Sequence, residues 1–168
     1  MTLAQMNAIS RDEFVRIVGP VFEHSLWIAE ATSLKRPFAS MEELHRAFCQ
    51  IVANAGEEKQ LALIRAHPDL AGRAALAGTL TRESTREQTS AGLGTLMPEE
   101  IVVFQRSNAA YLEKFGFPFV ICARMNKKEA ILNGFRIRLS NSREQEIKTA
   151  LEEIGKIAYL RLQDIVQT

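Results

Sequence analysis

The sequence predicts an all-α fold, a single compact multi-helix domain spanning residues 1–168. Three observations carry this. Apolar residues recur at helical spacing in nearly every segment, Ser/Asn-x-x-Glu patterns open several of those segments, and only one short stretch, near 117–123, breaks the helical rhythm.

Ser10-x-x-Glu13 precedes Phe14, Ile17 and Val18 at i, i+3, i+4, which predicts a first helix. Pro20 interrupts it, and a helix resumes over Phe22 to Ala31. Ser40-x-x-Glu43 opens another, with Leu44, Phe48, Ile51 and Val52 inward and Gly56 past its end. Glu57 to Ala66 reads as a helix with Leu61 and Ile64 on one face. It must stop at His67, because the residue before Pro68 is pushed out of the α region. A short helical piece from Asp69 to Ala77 ends at Gly78, and Thr81 to Ala91 ends at Gly92 and Gly94. Pro98, with Glu99 and Glu100 behind it, starts a long helix reaching about Phe115, where Gly116 stops it. Asn126-x-x-Glu129 starts one more, and Asn141 or Ser142 caps a last helix running to about Val166. Phe117 to Ala123 is apolar, contains Pro118 and reads as an extended segment whose backbone polar groups need partners from a ligand, a loop or another chain.

Composition excludes several classes. With 21 Lys+Arg against 20 Asp+Glu there is no net field to draw nucleic acid or a membrane surface. The apolar runs Ile101 to Phe104 and Phe117 to Ala123 fall far short of the roughly 20 residues a spanning helix needs. The N-terminus lacks signal-peptide regions and Val166-Gln167-Thr168 is no peroxisomal tripeptide, so a cytoplasmic location is expected. Cys49 and Cys122 make no disulfide framework, and His24, His45 and His67 have no ligand spacing, so no metal is expected. Gly92-x-Gly94 lacks the strand and third glycine of a phosphate loop, and the sequence supports no cofactor.

Chemistry can live in three places. His67, at a forced helix end, is available to a cleft as an acid/base, or serves as a hydrogen-bonded structural histidine. His24 and His45, inside predicted helices, read as structural. Ser84, Glu87 and Gln88 project from one patch of their helix, either a solvated polar face or part of a site. In the last helix Ile147, Leu151, Ile154, Ala158, Arg161 and Ile165 share one stripe, apolar except at Arg161. A buried guanidinium cannot shed its charge. Arg161 therefore meets an internal glutamate, snorkels, or forks onto a substrate carboxylate or urea-like group. Together these residues suit a small, polar, anionic substrate and acid/base chemistry without a nucleophile.

Four ordered motifs then carry a resemblance that spans essentially the whole chain. They are His67-Pro68-Asp69-Leu70-Ala71-Gly72, Ser84-x-x-Glu87-Gln88-x-x-Ala91-Gly92-Leu93, Asn108-x-x-Tyr111-x-x-Lys114-Phe115-Gly116-Phe117-Pro118-Phe119 and Ile157-Ala158-x-Leu160-Arg161-Leu162. The sequence resembles the 2-oxo-4-hydroxy-4-carboxy-5-ureidoimidazoline (OHCU) decarboxylase family, which completes conversion of urate to (S)-allantoin. The resemblance implies an all-α domain, a homodimer, and no metal or organic cofactor. It implies His67 and Glu87 as catalytic residues. Pro68, Ser84, Gln88 and Arg161 would contact the anionic ureidoimidazoline, with backbone groups of Phe119, Val120, Ile121, Cys122 and Ala123 completing the pocket. Functional coupling to urate-oxidising and hydroxyisourate-hydrolysing enzymes is a further expectation. The rival expectation is a non-catalytic helical ligand-binding or regulatory module on the same scaffold. One local departure from the family is Gly155, inside the last helix, where a larger residue is more usual.

Overall fold

The computed structural model describes residues 1–167; Thr168, the last residue of the C-terminal tripeptide, lies outside the described residues. Ten α-helices follow one another: α1 (Leu3–Ala8), α2 (Arg11–Val18), α3 (Leu26–Ser33), α4 (Met41–Ala53), α5 (Glu57–Arg65), α6 (Arg73–Leu76), α7 (Arg82–Ser90), α8 (Pro98–Phe115), α9 (Lys128–Arg138) and α10 (Arg143–Ile165). Single 3-10 turns occupy Gly19–Val21, Leu93–Thr95 and Ala123–Met125, and the described residues contain no strand. None of the described helices is long and apolar enough to cross a membrane.

The expected helix starts have physical counterparts. Ser10, Ser40 and Ser142 each accept, through Oγ, the backbone N–H three residues on, from Glu13, Glu43 and Gln145. Pro98 takes the first position of α8, and Gly116 ends it in the left-handed conformation at φ 77°. Other boundaries shift. After the Pro20 turn the chain resumes helix only at Leu26, because Ser25 and its neighbours form the connection first. The piece after Pro68 contracts to α6, since residues 67–72 form a turn. The helix expected from Asn126 begins at Lys128, and α1 is additional.

The segment near 117–123 is not an extended strand. Residues 117–122 are irregular and Ala123 opens a 3-10 turn. With no neighbouring strand to complete a ladder, its backbone groups bond to side chains and to the following turn instead.

The chain folds as two compact units. One comprises Met1–Ala66 and the chain from Gly155 onward. Its core contains Met6, Phe14, Val18, Ile28, Leu44, Phe48, Leu63, Ala158 and Leu162, with Phe22 edge-on to Phe48 at 5.2 Å between centroids. Arg36 ties α1 into it, donating to the carbonyls of Met6 and Ile9 while its guanidinium lies over the Phe14 ring. The other unit, His67–Ile154, is built around Phe104, Tyr111, Phe115, Phe117, Phe119 and Phe135. Tyr111 meets four of those rings, and Phe119 stacks on Phe135 at 3.9 Å. Aromatic pairs of this kind add roughly 0.5–1.5 kcal/mol each beyond area burial.

Candidate active site

His67 is the first residue beyond the Ala66 cap of α5, and it is buried at 7% exposure. The turn after Pro68 is fixed by side-chain amides. Gln88 on α7 accepts the Ala71 N–H through Oε1 at 2.9 Å and donates through Nε2 to the Asp69 carbonyl at 3.2 Å. Asn108 on α8 donates to the Leu70 carbonyl at 2.9 Å. Burial pushes the Asp69 carboxyl above the usual carboxylate range, against the opposing charge of Arg73.

Thr81 caps α7 by accepting the Ser84 N–H, which points Ser84, Glu87 and Gln88 inward. All three are buried, while Arg82, Thr85 and Arg86 on the other side are exposed. A solvated polar face is therefore ruled out for the trio. α7 also packs on the 3-10 turn Ala123–Met125. The Cys122 thiol is pushed up by burial and by the charges of Glu153 and Glu87. α7 thus meets the turn after Pro68 through Gln88 and packs on the turn that follows Cys122.

The Phe119 to Ala123 stretch is held from behind. Val120 offers its carbonyl to Arg138 Nη1 at 2.6 Å, and the Cys122 N–H goes to Glu153 Oε2 at 2.8 Å. The Cys122 carbonyl accepts from the Met125 N–H and Asn126 Nδ2. The expectation that this backbone is free for a ligand does not hold for these three groups. Arg138 also lies over the Phe119 ring at 4.2 Å and meets Glu146 Oε1 through Nε at 2.7 Å. Glu146 accepts the Tyr111 hydroxyl as well, and burial together with that bond pushes the phenol's pKa upward.

Arg161 lies in the other unit, 4% exposed. Its Nη2 meets Glu23 Oε1 at 3.0 Å, and Nη1 donates to the carbonyls of Pro20 and Val21. The internal glutamate allowed by the sequence is present. Among the described residues no cluster of three His, Cys, Asp or Glu side chains could hold a metal ion.

The family model described as OHCU decarboxylase matches residues 7–163. The chain belongs to the OHCU decarboxylase family.

A 2-oxo-4-hydroxy-4-carboxy-5-ureidoimidazoline decarboxylase from Amia calva is 46% identical over 99% of this chain and 95% of its own length. A uric acid degradation bifunctional protein from Bacillus sp. (strain TB-90) is 41% identical over 98% of this chain, which matches 32% of that longer protein. Among solved structures, an (S)-allantoin synthase superposes with TM-score 0.81 at 27% identity over all of this chain, which spans 55% of that protein's length.

Relative to this family's motifs, sequence reasoning overlooked the residues standing behind the turn and the irregular segment. Arg138 breaks the apolar face of α9 seven residues after Ile131 and three after Phe135, all buried. Glu146 and Glu153 lie on the buried face of α10 with Ala150, Ile154, Ile157, Ala158, Arg161 and Leu162. The expected stripe is thus rotated: Ile147, Leu151 and Ile165 are only half-buried. A glutamate buried by pairing is invisible to a rule that places carboxylates outside, and the signal was a charge recurring at helical spacing among apolar residues.

Proposed function

We propose that the chain carries out the reaction for which its family is named, stereoselective decarboxylation of 2-oxo-4-hydroxy-4-carboxy-5-ureidoimidazoline to (S)-allantoin, as a carboxy-lyase in urate degradation. The observation that carries this reading is α7, with Gln88 bonded to the turn that follows His67 and with Ser84 and Glu87 buried on the same face of the helix.

The substrate bears a carboxylate and a hydroxyl on one ring carbon, next to a carbon in a C=N bond. When carbon dioxide leaves, the C–C electron pair moves into that C=N, giving an enol-like intermediate. The substrate supplies its own electron sink, so the protein's task is orientation and proton transfer. His67 moves the proton, taking it from the hydroxyl or delivering it as the enol collapses. Delivery from one face sets the (S) configuration. Glu87 orients His67 or holds the hydroxyl and ureido hydrogens, Ser84 and Gln88 fix the ring, and Pro68 shapes the turn. Ile121 and the neighbouring backbone meet the ring amides. Arg161, its guanidinium oriented by Glu23, holds a carboxylate or carbonyl of the substrate. The active form is a cytoplasmic homodimer, coupled to the enzymes that oxidise urate and hydrolyse hydroxyisourate. The bifunctional relative, in which a matching segment is about a third of the chain, supports that coupling.

The test generates the unstable intermediate in situ from urate with those two upstream activities and follows (S)-allantoin by circular dichroism. The protein is expected to accelerate its formation beyond spontaneous, racemic decay. His67→Asn should lower the stereospecific rate by about 10²–10⁴-fold while the fold is retained. A variant making (S)-allantoin at the wild-type rate overturns the role of His67, and a wild-type protein without effect overturns the activity.

A further inference from the structure

Asn108 occupies the inward face of α8 between Phe104 and Tyr111 and is 6% exposed. Its two amide atoms fare differently. Nδ2 donates to the Leu70 carbonyl, whereas Oδ1 has no hydrogen-bond partner in the protein. Turning the amide over would set its oxygen against the Leu70 oxygen, so the bond fixes the orientation. A buried carbonyl oxygen without a donor is destabilising. Packing alone would favour leucine here, and the asparagine is accounted for by what Nδ2 holds.

What it holds is the middle of a strained turn. Gln88 takes the Asp69 carbonyl and the Ala71 N–H, and Asn108 takes the Leu70 carbonyl between them. Three successive residues are thereby tied to α7 and α8. Ala71 is in the left-handed region at φ 49°, which a residue with a Cβ occupies only when its surroundings impose it. At Gly72 a Cβ would sit 2.4 Å from Asp69 Cβ, so the chain doubles back tightly on itself. Few soft torsions separate this turn from His67. Pro68 has a locked φ, and His67, preceding it, is confined to extended backbone.

We propose that Asn108 is a positioning residue for His67, holding the Leu70 carbonyl so that the turn keeps the imidazole in register with α7. This rests on the reading of His67 as the proton-transfer residue. It separates two tasks that Gln88 combines, since Gln88 belongs to the substrate-binding set and Asn108 acts only through the backbone of Leu70.

Asn108→Leu removes both the bond and the unpartnered oxygen at nearly constant volume. A purely structural asparagine would lose stability while the molecules that remain folded kept the wild-type kcat. The Leu70 carbonyl loses its donor in either case, so the melting temperature falls. A positioning asparagine in addition lowers kcat of the folded protein, measured well below its melting transition, by roughly 10–100-fold with KM changed by less than about twofold. In a His67→Asn background the same substitution should leave the residual rate unchanged, because its effect passes through the imidazole. Should the leucine variant fail to fold, Asn108→Ser, too short to reach Leu70, replaces it in both backgrounds. Wild-type kcat in a folded Asn108 variant overturns the inference while leaving His67 in place. An equal loss of rate in both backgrounds overturns it too, and wild-type activity in His67→Asn alone removes the reading on which it rests.

Discussion

Glu153 and Cys122 are joined by a hydrogen bond in which the Cys122 N–H donates to Oε2 at 2.8 Å, with both residues buried. The carboxylate does for this irregular stretch what a neighbouring strand would do in a sheet. Glu153→Ala leaves a buried N–H without its acceptor and should cost about 1–3 kcal/mol. Glu153→Gln, whose amide oxygen can still accept, should retain most of that stability. Urea unfolding of the two variants checks this, and equal losses would mean that charge rather than the bond matters.

Arg138 and Glu146 make a second buried tie, at 2.7 Å with side chains 9% and 0% exposed. Arg138→Met strands the Glu146 charge and frees the Val120 carbonyl, so a loss of about 3–5 kcal/mol is expected. Replacing the network together, as Arg138→Met with Glu146→Leu and Tyr111→Phe, should recover most of it, because no buried charge is then left unpaired. If the triple variant is no more stable than the single one, the arginine's packing on Phe119, rather than the ion pair, dominates.

These ties mark where sequence reading stops. Helix starts at Ser10, Ser40, Pro98 and Ser142 were legible because a cap is a local, two-residue event. The inward direction of Ser84, Glu87 and Gln88 was open, since one spacing serves a wet face and a buried one alike. Arg161 was legible as a buried charge, but its partner Glu23 stands 138 positions away. The Phe117 to Ala123 stretch was recognised as non-helical, yet its bonds to Arg138 and Glu153 depend on tertiary packing. Asn108 appeared in a motif without a task, which only the Leu70 carbonyl supplies.

Burial holds the Cys122 thiol above its ordinary 9.0, and the carboxylates of Glu153 and Glu87 push the same way. The folded state therefore keeps a proton that the unfolded chain releases. The stability this contributes is fully present below pH 9.0 and is lost as pH rises through the folded pKa. The wild type should accordingly lose stability faster than Cys122→Ala as pH rises above 9.0, and thermal melts of both proteins along that alkaline limb measure the slope. Parallel alkaline limbs would show that Cys122 is not a source of the loss.

Gly155 lies within α10, where glycine costs about 1 kcal/mol against alanine. Its carbonyl accepts from His45 Nε2 at 2.8 Å, a backbone bond that any residue at this position could keep. A Cβ here would meet only Cys49 Sγ, at 3.6 Å, which is ordinary van der Waals contact. The space is therefore available and the glycine is not required by a close approach. Gly155→Ala should raise stability by about 0.5–1 kcal/mol, read as a melting-temperature increase of about 1–4 °C. Because the substitution leaves His67, Glu87 and Arg161 untouched, kcat should remain at the wild-type value. A fall in melting temperature would mean that the contact with Cys49 displaces the His45 bond, and replacing Cys49 by alanine in the same chain should then restore the gain.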